Sequence, residues 1–130
     1  MTLKAFLVED NASIRDSLEE ALAELAGIAT AGVAGNERSA VAWLTDASNA
    51  WDIAIVDLAL EPGGGTGFGV LRALRARDPR RKVVVLTGAG IRDAERQCEA
   101  LGCDRVFDKA METDALLDYC QVLAREAADR

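Results

Sequence analysis

Four short apolar runs, Lys4–Val8, Ile28–Ala34, Ile53–Val56 and Val83–Leu86, recur along the chain, each followed by a segment with apolar residues at helical spacing. Such runs are too short for helices, and their continuous rather than alternating apolarity suits strands covered on both faces, as in a parallel sheet. A fifth run, Asp104–Phe107, completes five β-α units. Strict alternation with crossovers of this length predicts right-handed parallel connections and a doubly wound α/β sandwich. Sheets of that kind bind ligands beyond the carboxyl ends of the strands, near the point where the strand order reverses.

The helical stripes are Ile14/Leu18/Leu22/Leu25, Ala40/Val41/Leu44, Val70/Leu71/Leu74, Ile91/Ala94/Cys98/Leu101 and Leu116/Tyr119/Cys120/Leu123. Asn11 or Ser13 is placed to cap the first, and Gly27 and Gly102 to end the first and fourth. Arg15, Asp16, Glu19 and Glu20 are expected on the solvated side of the first helix. Trp43, inside a helical stripe, and Trp51, at the start of the third strand, read as packing at the edge of the core. The last stripe runs almost to Arg130, so residues 1–130 are expected to form a single domain with no output domain.

Charge and cysteine usage narrow the function. With 15 basic against 22 acidic residues, a net charge of −7 and no Lys/Arg-dense stripe, the chain is a poor partner for nucleic acid. Cys98, Cys103 and Cys120 lack metal-ligand spacing, there is no histidine to complete a Cys/His site, and Cys98 and Cys120 fall on apolar helix faces. They read as reduced packing thiols. The run Ala5–Val8 is too short for a signal peptide, and no stretch approaches the roughly 20 apolar residues that span a bilayer. The expectation is a cytoplasmic protein with no membrane partner.

Polar residues stand at four strand ends: Glu9 and Asp10 after the first, Asp57 closing the third, Thr87 after the fourth and Lys109 after the fifth. Clustered carboxylates raise one another's proton affinity, so three of them require a cation. A hard divalent ion with oxygen ligands meets that need, and Mg2+ fits best because it leaves room for a phosphoryl oxygen. On this reading Asp10 and Asp57 are direct ligands, Glu9 acts through a water, and Ala59 contributes its backbone carbonyl. Asp57 is also the nucleophile, since a carboxylate accepts a phosphoryl group as an acyl phosphate. Lys109 and the Thr87 hydroxyl are then placed to bind phosphoryl oxygens, the positioning and neutralisation that phosphoryl transfer asks of a protein.

Glu9–Asp10, IVDLAL around Asp57, VVVLTGAG around Thr87 and VFDKA around Lys109 together resemble the response-regulator receiver family of two-component signalling, over essentially the whole chain. The resemblance implies a flavodoxin-like (βα)5 sandwich with a five-stranded parallel sheet of order 2-1-3-4-5. It implies phosphorylation by a histidine kinase or a histidine phosphotransfer protein. It further implies a switch that moves the threonine and the face of the fourth helix, fifth strand and fifth helix, through which a downstream protein would be contacted.

Three departures from the family pattern bear on that switch. Val106 stands where receivers carry a Tyr or Phe that moves with the threonine, and Phe107, next to it, points to the other face of its strand. Ala110 stands where a proline normally follows the lysine across a cis bond, a geometry that costs about 3–4 kcal/mol without proline. The loop LALEPGGGTGFG is longer than the family's and carries five glycines, so it reads as mobile, either a tolerated insertion or a lid over Asp57. Gly88 and Gly90 flank Ala89 after Thr87 and leave room either for a phosphoryl group or for a plain strand-to-helix turn.

The leading function is a phosphoacceptor that signals through protein contact or passes its phosphate to a histidine on another protein. The alternative is a degenerate receiver that acts as a phosphorylation-independent interaction module. An aspartate-nucleophile phosphatase would need a second acid where Ala59 stands, and a flavin site would need Ser/Thr/Gly donors where Glu9 and Asp10 stand.

Overall fold

The structure, a computed structural model, describes residues 2–60, 63–88 and 93–129. Strands β1 (Lys4–Val8), β2 (Ala29–Ala34), β3 (Ile53–Asp57), β4 (Lys82–Thr87) and β5 (Arg105–Asp108) alternate with helices α1 (Ala12–Ala21), α2 (Glu37–Leu44), α3 (Gly67–Leu74), α4 (Ala94–Ala100) and α5 (Thr113–Ala128). The sheet is parallel throughout, in the order β2-β1-β3-β4-β5, as expected. The strand order reverses between β1 and β3, so the residues just past those strands flank the crevice where such sheets bind ligands.

Alternation along the central strands feeds two cores. Phe6, Val8, Ala54, Val56, Val83 and Val85 face Ala40 and Leu44 of α2, Val70, Leu71 and Leu74 of α3, and Ala94 and Cys98 of α4. Ala5, Leu7, Ile53, Ile55, Val84, Leu86 and Phe107 face Leu18 and Leu22 on one side and Leu116, Leu117 and Cys120 of α5 on the other. Each buried Val, Leu, Ile or Phe in these layers contributes about 1.5–3 kcal/mol relative to exposure. The premise of two covered faces holds for β1, β3 and β4 and fails for β2. That strand is an edge of small residues with alternating exposure, and Val33 is 45% exposed.

Helix α1 departs from its predicted stripe. Asn11 caps it by accepting from the Ile14 N–H at 3.1 Å, and Gly27 ends it at φ +64°. Between Leu22 and Ala26, however, the chain widens into a π turn in which the Gly27 N–H reaches back to the Leu22 carbonyl. The wider turn carries the buried position from Leu22 to Ala26 and leaves Leu25 54% exposed, so Leu25 is not a core residue. In the fourth stripe Ala94 and Cys98 are buried, whereas Ile91 lies outside the described residues.

The tryptophans and cysteines pack as expected. Trp43 stacks on Phe6 with centroids 4.5 Å apart, while Trp51 is buried and donates its indole N–H to the Leu44 carbonyl at 3.1 Å. Burial pushes the Cys98 thiol up to about 11 and the Cys120 thiol up to about 12, which keeps both protonated and unreactive.

Candidate functional site

Three strand ends deliver the acidic residues and the lysine to one place. Asp57 is the last residue of β3, Glu9 follows β1, and Lys109 follows β5. Glu9 and Asp57, each 2% exposed, are the only buried charged residues among those described. Lys109 Nζ donates to Asp57 Oδ2 at 2.8 Å and to the two Glu9 carboxylate oxygens at 2.9 and 3.1 Å. The other Asp57 oxygen, Oδ1, accepts from the Ala59 N–H at 3.1 Å. Asp10, half-buried, completes a group of three acids whose ligand atoms lie within 4.8 Å of one another. Together with Lys109, Ala59 and Gly88 they line a cavity of about 320 Å³.

The electrostatics follow from three carboxylates facing one ammonium. Burial first, and then the neighbouring Asp57, push the Glu9 carboxyl up to about 7 against the pull of Lys109. Burial works against the charge on Lys109, but its hydrogen bonds to Asp57 and Glu9 outweigh that and hold the ammonium above its ordinary value. Among the described residues the pocket therefore sets one positive charge against three carboxylates, and its donors are hard oxygens. That set fits a hard divalent cation better than a soft metal.

Thr87 ends β4 beside this pocket but turns its side chain elsewhere. Its hydroxyl donates to the Gly88 carbonyl at 3.3 Å and lines a second cavity, of about 680 Å³, together with Val106 of β5 and Ala94 of α4. Five polar groups thus reach one rim, of which four line the acidic cavity and Thr87 stands at the wall between the two. Val106 packs toward the α2–α3–α4 core, whereas Phe107 is buried in the opposite core with its ring 6.0 Å from Tyr119. Val106 and Phe107 thus face opposite sides of β5, and among the described residues no aromatic ring lines the cavity beside Thr87. Of the glycines around Thr87, Gly88 borders both cavities, and Ala89 and Gly90 lie outside the described residues.

The peptide bond after Lys109 is trans, and Lys109 still reaches both acids. The turn that achieves this is built by Asp108, whose carboxylate accepts from the N–H groups of Ala110 at 2.8 Å and Met111 at 3.0 Å. Glu112 in turn accepts from the Asp108 N–H at 3.0 Å. An Asx-type turn has replaced the proline.

Two residues at the site escaped sequence reasoning. Arg15 was expected in solvent but is half-buried, and its guanidinium donates to the Glu9 carbonyl at 2.8 Å, fixing the backbone that carries two of the acids. A lone arginine among Asp16, Glu19 and Glu20 was the available signal. Glu37, at the start of α2, holds the glycine-rich loop: its N–H donates to the Gly64 carbonyl at 2.8 Å, and its Oε1 accepts from the Thr66 N–H at 2.9 Å. Of the loop read as mobile, Gly64 and Thr66 are hydrogen-bonded to α2 through Glu37, and Glu61 and Pro62 lie outside the described residues.

A family model described as the response regulator receiver domain matches residues 5–121. The receiver domain of the Francisella response regulator 1452 superposes with a TM-score of 0.79 at 20% identity, covering 97% of this chain and 99% of that one. The signal receiver domain of a DNA-binding response regulator (merR) from Colwellia psychrerythraea 34H gives 0.79 at 24%, covering 95% and 98%. That of a putative Luxo repressor protein from Vibrio parahaemolyticus gives 0.77 at 20%, covering 98% and 94%. At these identities the likeness speaks for the flavodoxin-like fold alone. No curated protein matches the chain.

Proposed function

The chain belongs to the response regulator receiver family of two-component signalling, and from that premise we propose that Asp57 is its phosphoacceptor. The observation that carries this reading is the Asp57 carboxylate itself: 2% exposed at a strand end, held at Oδ1 by the Ala59 N–H and at Oδ2 by Lys109, beside Glu9 and Asp10. Burying an acid among acids raises its energy in the resting protein, a strange use of a carboxylate unless its charge is needed for bonding.

In the proposed reaction an Asp57 oxygen attacks phosphorus in a phosphohistidine of a histidine kinase or a histidine phosphotransfer protein. The new O–P bond forms as the P–N bond breaks, and the imidazole leaves with the electron pair and takes up a proton. Asp57 gives up its carboxylate charge to the acyl phosphate, which frees Lys109 to follow the charge onto a phosphoryl oxygen. The Thr87 hydroxyl, whose bond among the described residues is a long one to the Gly88 carbonyl, would donate to another. Mg2+, held by Asp10, Asp57 and the Ala59 carbonyl with Glu9 acting through a water, would supply the missing positive charge. Arg15 keeps Glu9 and Asp10 in place through the Glu9 carbonyl.

The protein then acts as an acceptor module rather than a true enzyme, with weak self-catalysed phosphorylation and dephosphorylation. Its output is protein contact through α4, β5 and α5, or onward transfer of the phosphate. A chain of net charge −7 gives nucleic acid no foothold, and no helix among the described residues is long and apolar enough to cross a membrane. We place it in the cytoplasm, where its kinase or phosphotransfer partner would reach it.

The test is incubation with Mg2+ and a small phosphodonor such as acetyl phosphate, followed by intact-protein mass spectrometry. The expected result is a gain of one phosphoryl group that disappears in Asp57→Asn and without Mg2+. No gain in the native chain supports instead the second reading, a phosphorylation-independent interaction module. That reading is favoured by one observation, the ring-free cavity between Thr87 and Val106.

A further inference from the structure

The glycine-rich loop after Asp57 is built around one carboxylate. Gly65 and Gly69 lie so close to Glu37 that a Cβ at either position would overlap its side chain, and at Gly69 the overlap is with the carboxylate itself. Gly65 also stands at φ +82°, where a side chain is strained. The carboxylate thus sits in a seat that only glycine leaves open, bonded to the Thr66 N–H at 2.9 Å. A second tie, from the Glu37 N–H to the Gly64 carbonyl, makes the contact two-pointed across 27 residues of sequence or more.

From that seat the contact continues into the acceptor site. Thr66 caps α3 by accepting from the Gly69 N–H. The next residue, Gly67, presses against the end of β3: its N–H donates to the Leu58 carbonyl at 3.2 Å, and a Cβ there would stand 2.5 Å from the Asp57 carbonyl oxygen and 2.8 Å from Leu58 Cα. Leu58 joins Asp57 to Ala59, whose N–H holds Asp57 Oδ1. The path from α2 to the acceptor therefore runs Glu37, Thr66, Gly67, Leu58, and then Asp57 and Ala59, through residues in hydrogen bond or close contact at each step.

We propose that Glu37 is a positioning residue for the acceptor site, whose carboxylate, seated in the glycine loop, fixes the Leu58–Ala59 backbone on which Asp57 and the Ala59 carbonyl depend. The proposal rests on the reading of Asp57, Asp10 and Ala59 as a phosphoacceptor with its Mg2+ site. The long loop is then neither a passive insertion nor a lid, but the arm by which α2 steadies the site. A shift of α2 brought about by a partner would reach Asp57 by the same route.

The experiment reads two quantities in Glu37→Ala, Glu37→Gln and Gly69→Ala: amide hydrogen exchange by NMR, and Mg2+ affinity by calorimetry. Glu37→Ala is expected to speed exchange at Thr66 and Ala59 by roughly tenfold, the factor one charge-assisted hydrogen bond supports, with Ile55 and Val84 in the core strands unchanged. Mg2+ affinity falls by a factor of about three to ten. Glu37→Gln, whose amide oxygen can still accept from Thr66, restores most of both. Gly69→Ala, which evicts the carboxylate, reproduces Glu37→Ala, and adding it to Glu37→Ala costs little more because the clash is gone. Wild-type exchange at Ala59 in Glu37→Ala overturns the proposal, as does unchanged Mg2+ affinity in a protein that binds Mg2+. If the native chain binds no Mg2+, the phosphoacceptor reading fails on its own, and exchange at Thr66 and Ala59 alone decides whether Glu37 positions the loop.

Discussion

Two cavities meet at the end of β4 and are built in opposite ways. In the acidic one Lys109 bonds both Glu9 and Asp57 within 3.1 Å, so that the ends of strands β1, β3 and β5 are joined through a single ammonium. In the other, twice the volume, Thr87 has among the described residues only a long bond to its neighbour's carbonyl, and the side chain facing it from β5 is a valine. On the proposed reading, the chemistry of accepting a phosphate and the mechanics of reporting it are separable in this fold. The first rests on clustered acids sharing one ammonium, whereas the second depends on packing that this chain has left thin.

The largest expected effect lies in the acidic cavity. Lys109→Met removes the one cation that Glu9 and Asp57 share and that would follow the transferred charge. Phosphorylation by a small phosphodonor should slow roughly 10- to 100-fold, the worth of one charge-assisted hydrogen bond to a phosphoryl oxygen. Mass spectrometry over time measures it. A rate within twofold of the native chain would mean that the two cavities do not differ in the way their bonding suggests.

An intermediate effect comes from Glu9, whose carboxyl moves from an ordinary 4.5 to about 7 on folding. The folded state then binds a proton more tightly than the unfolded state. Stability of the metal-free protein is therefore fully present below about pH 4.5 and is lost as the pH rises to about 7, by roughly 2–3 kcal/mol. Asp78, held down to about 2 by its hydrogen bonds with Arg80, titrates below this window and does not confuse it. Urea unfolding with a chelator present should show the decline, Glu9→Gln should flatten it, and Mg2+ should offset it by favouring the ionised acid. A flat profile in the native chain would remove the case for a charge-starved pocket.

The same contrast explains what could be read from the sequence. Glu9 and Asp57 were legible because each ends a continuous apolar run and Lys109 because it follows the fifth strand, and a parallel sheet brings such ends together whatever the loops do. The opposite facing of Val106 and Phe107 was legible from strand parity alone. Arg15 and Glu37 were not, since both stand on helix flanks that read as solvated and their partners are fixed by loop conformation. Glycines read as freedom in a sequence; here two of them are the absence of a Cβ where another side chain must sit. Leu25 was misplaced because a π turn breaks the 3.6-residue period without any change in composition.

The smallest effect is the most telling about the second cavity. Val106→Tyr restores a ring on the face of β5 that looks toward Thr87 and Ala94, where about 680 Å³ stands open. Because the ring fills space rather than displacing core, stability should change by less than about 1 kcal/mol. The acceptor reaction should also keep its rate, since Val106 does not line the acidic cavity. What should change is transmission: NMR shifts along α4 on phosphorylation, small in the native chain, should grow once a ring can move with the Thr87 hydroxyl. If the native chain already shows large shifts in α4, Val106 is no gap in the switch, and the coupling between the two cavities must run through backbone they share, the Thr87 carbonyl bonded to the Lys109 N–H at 2.8 Å.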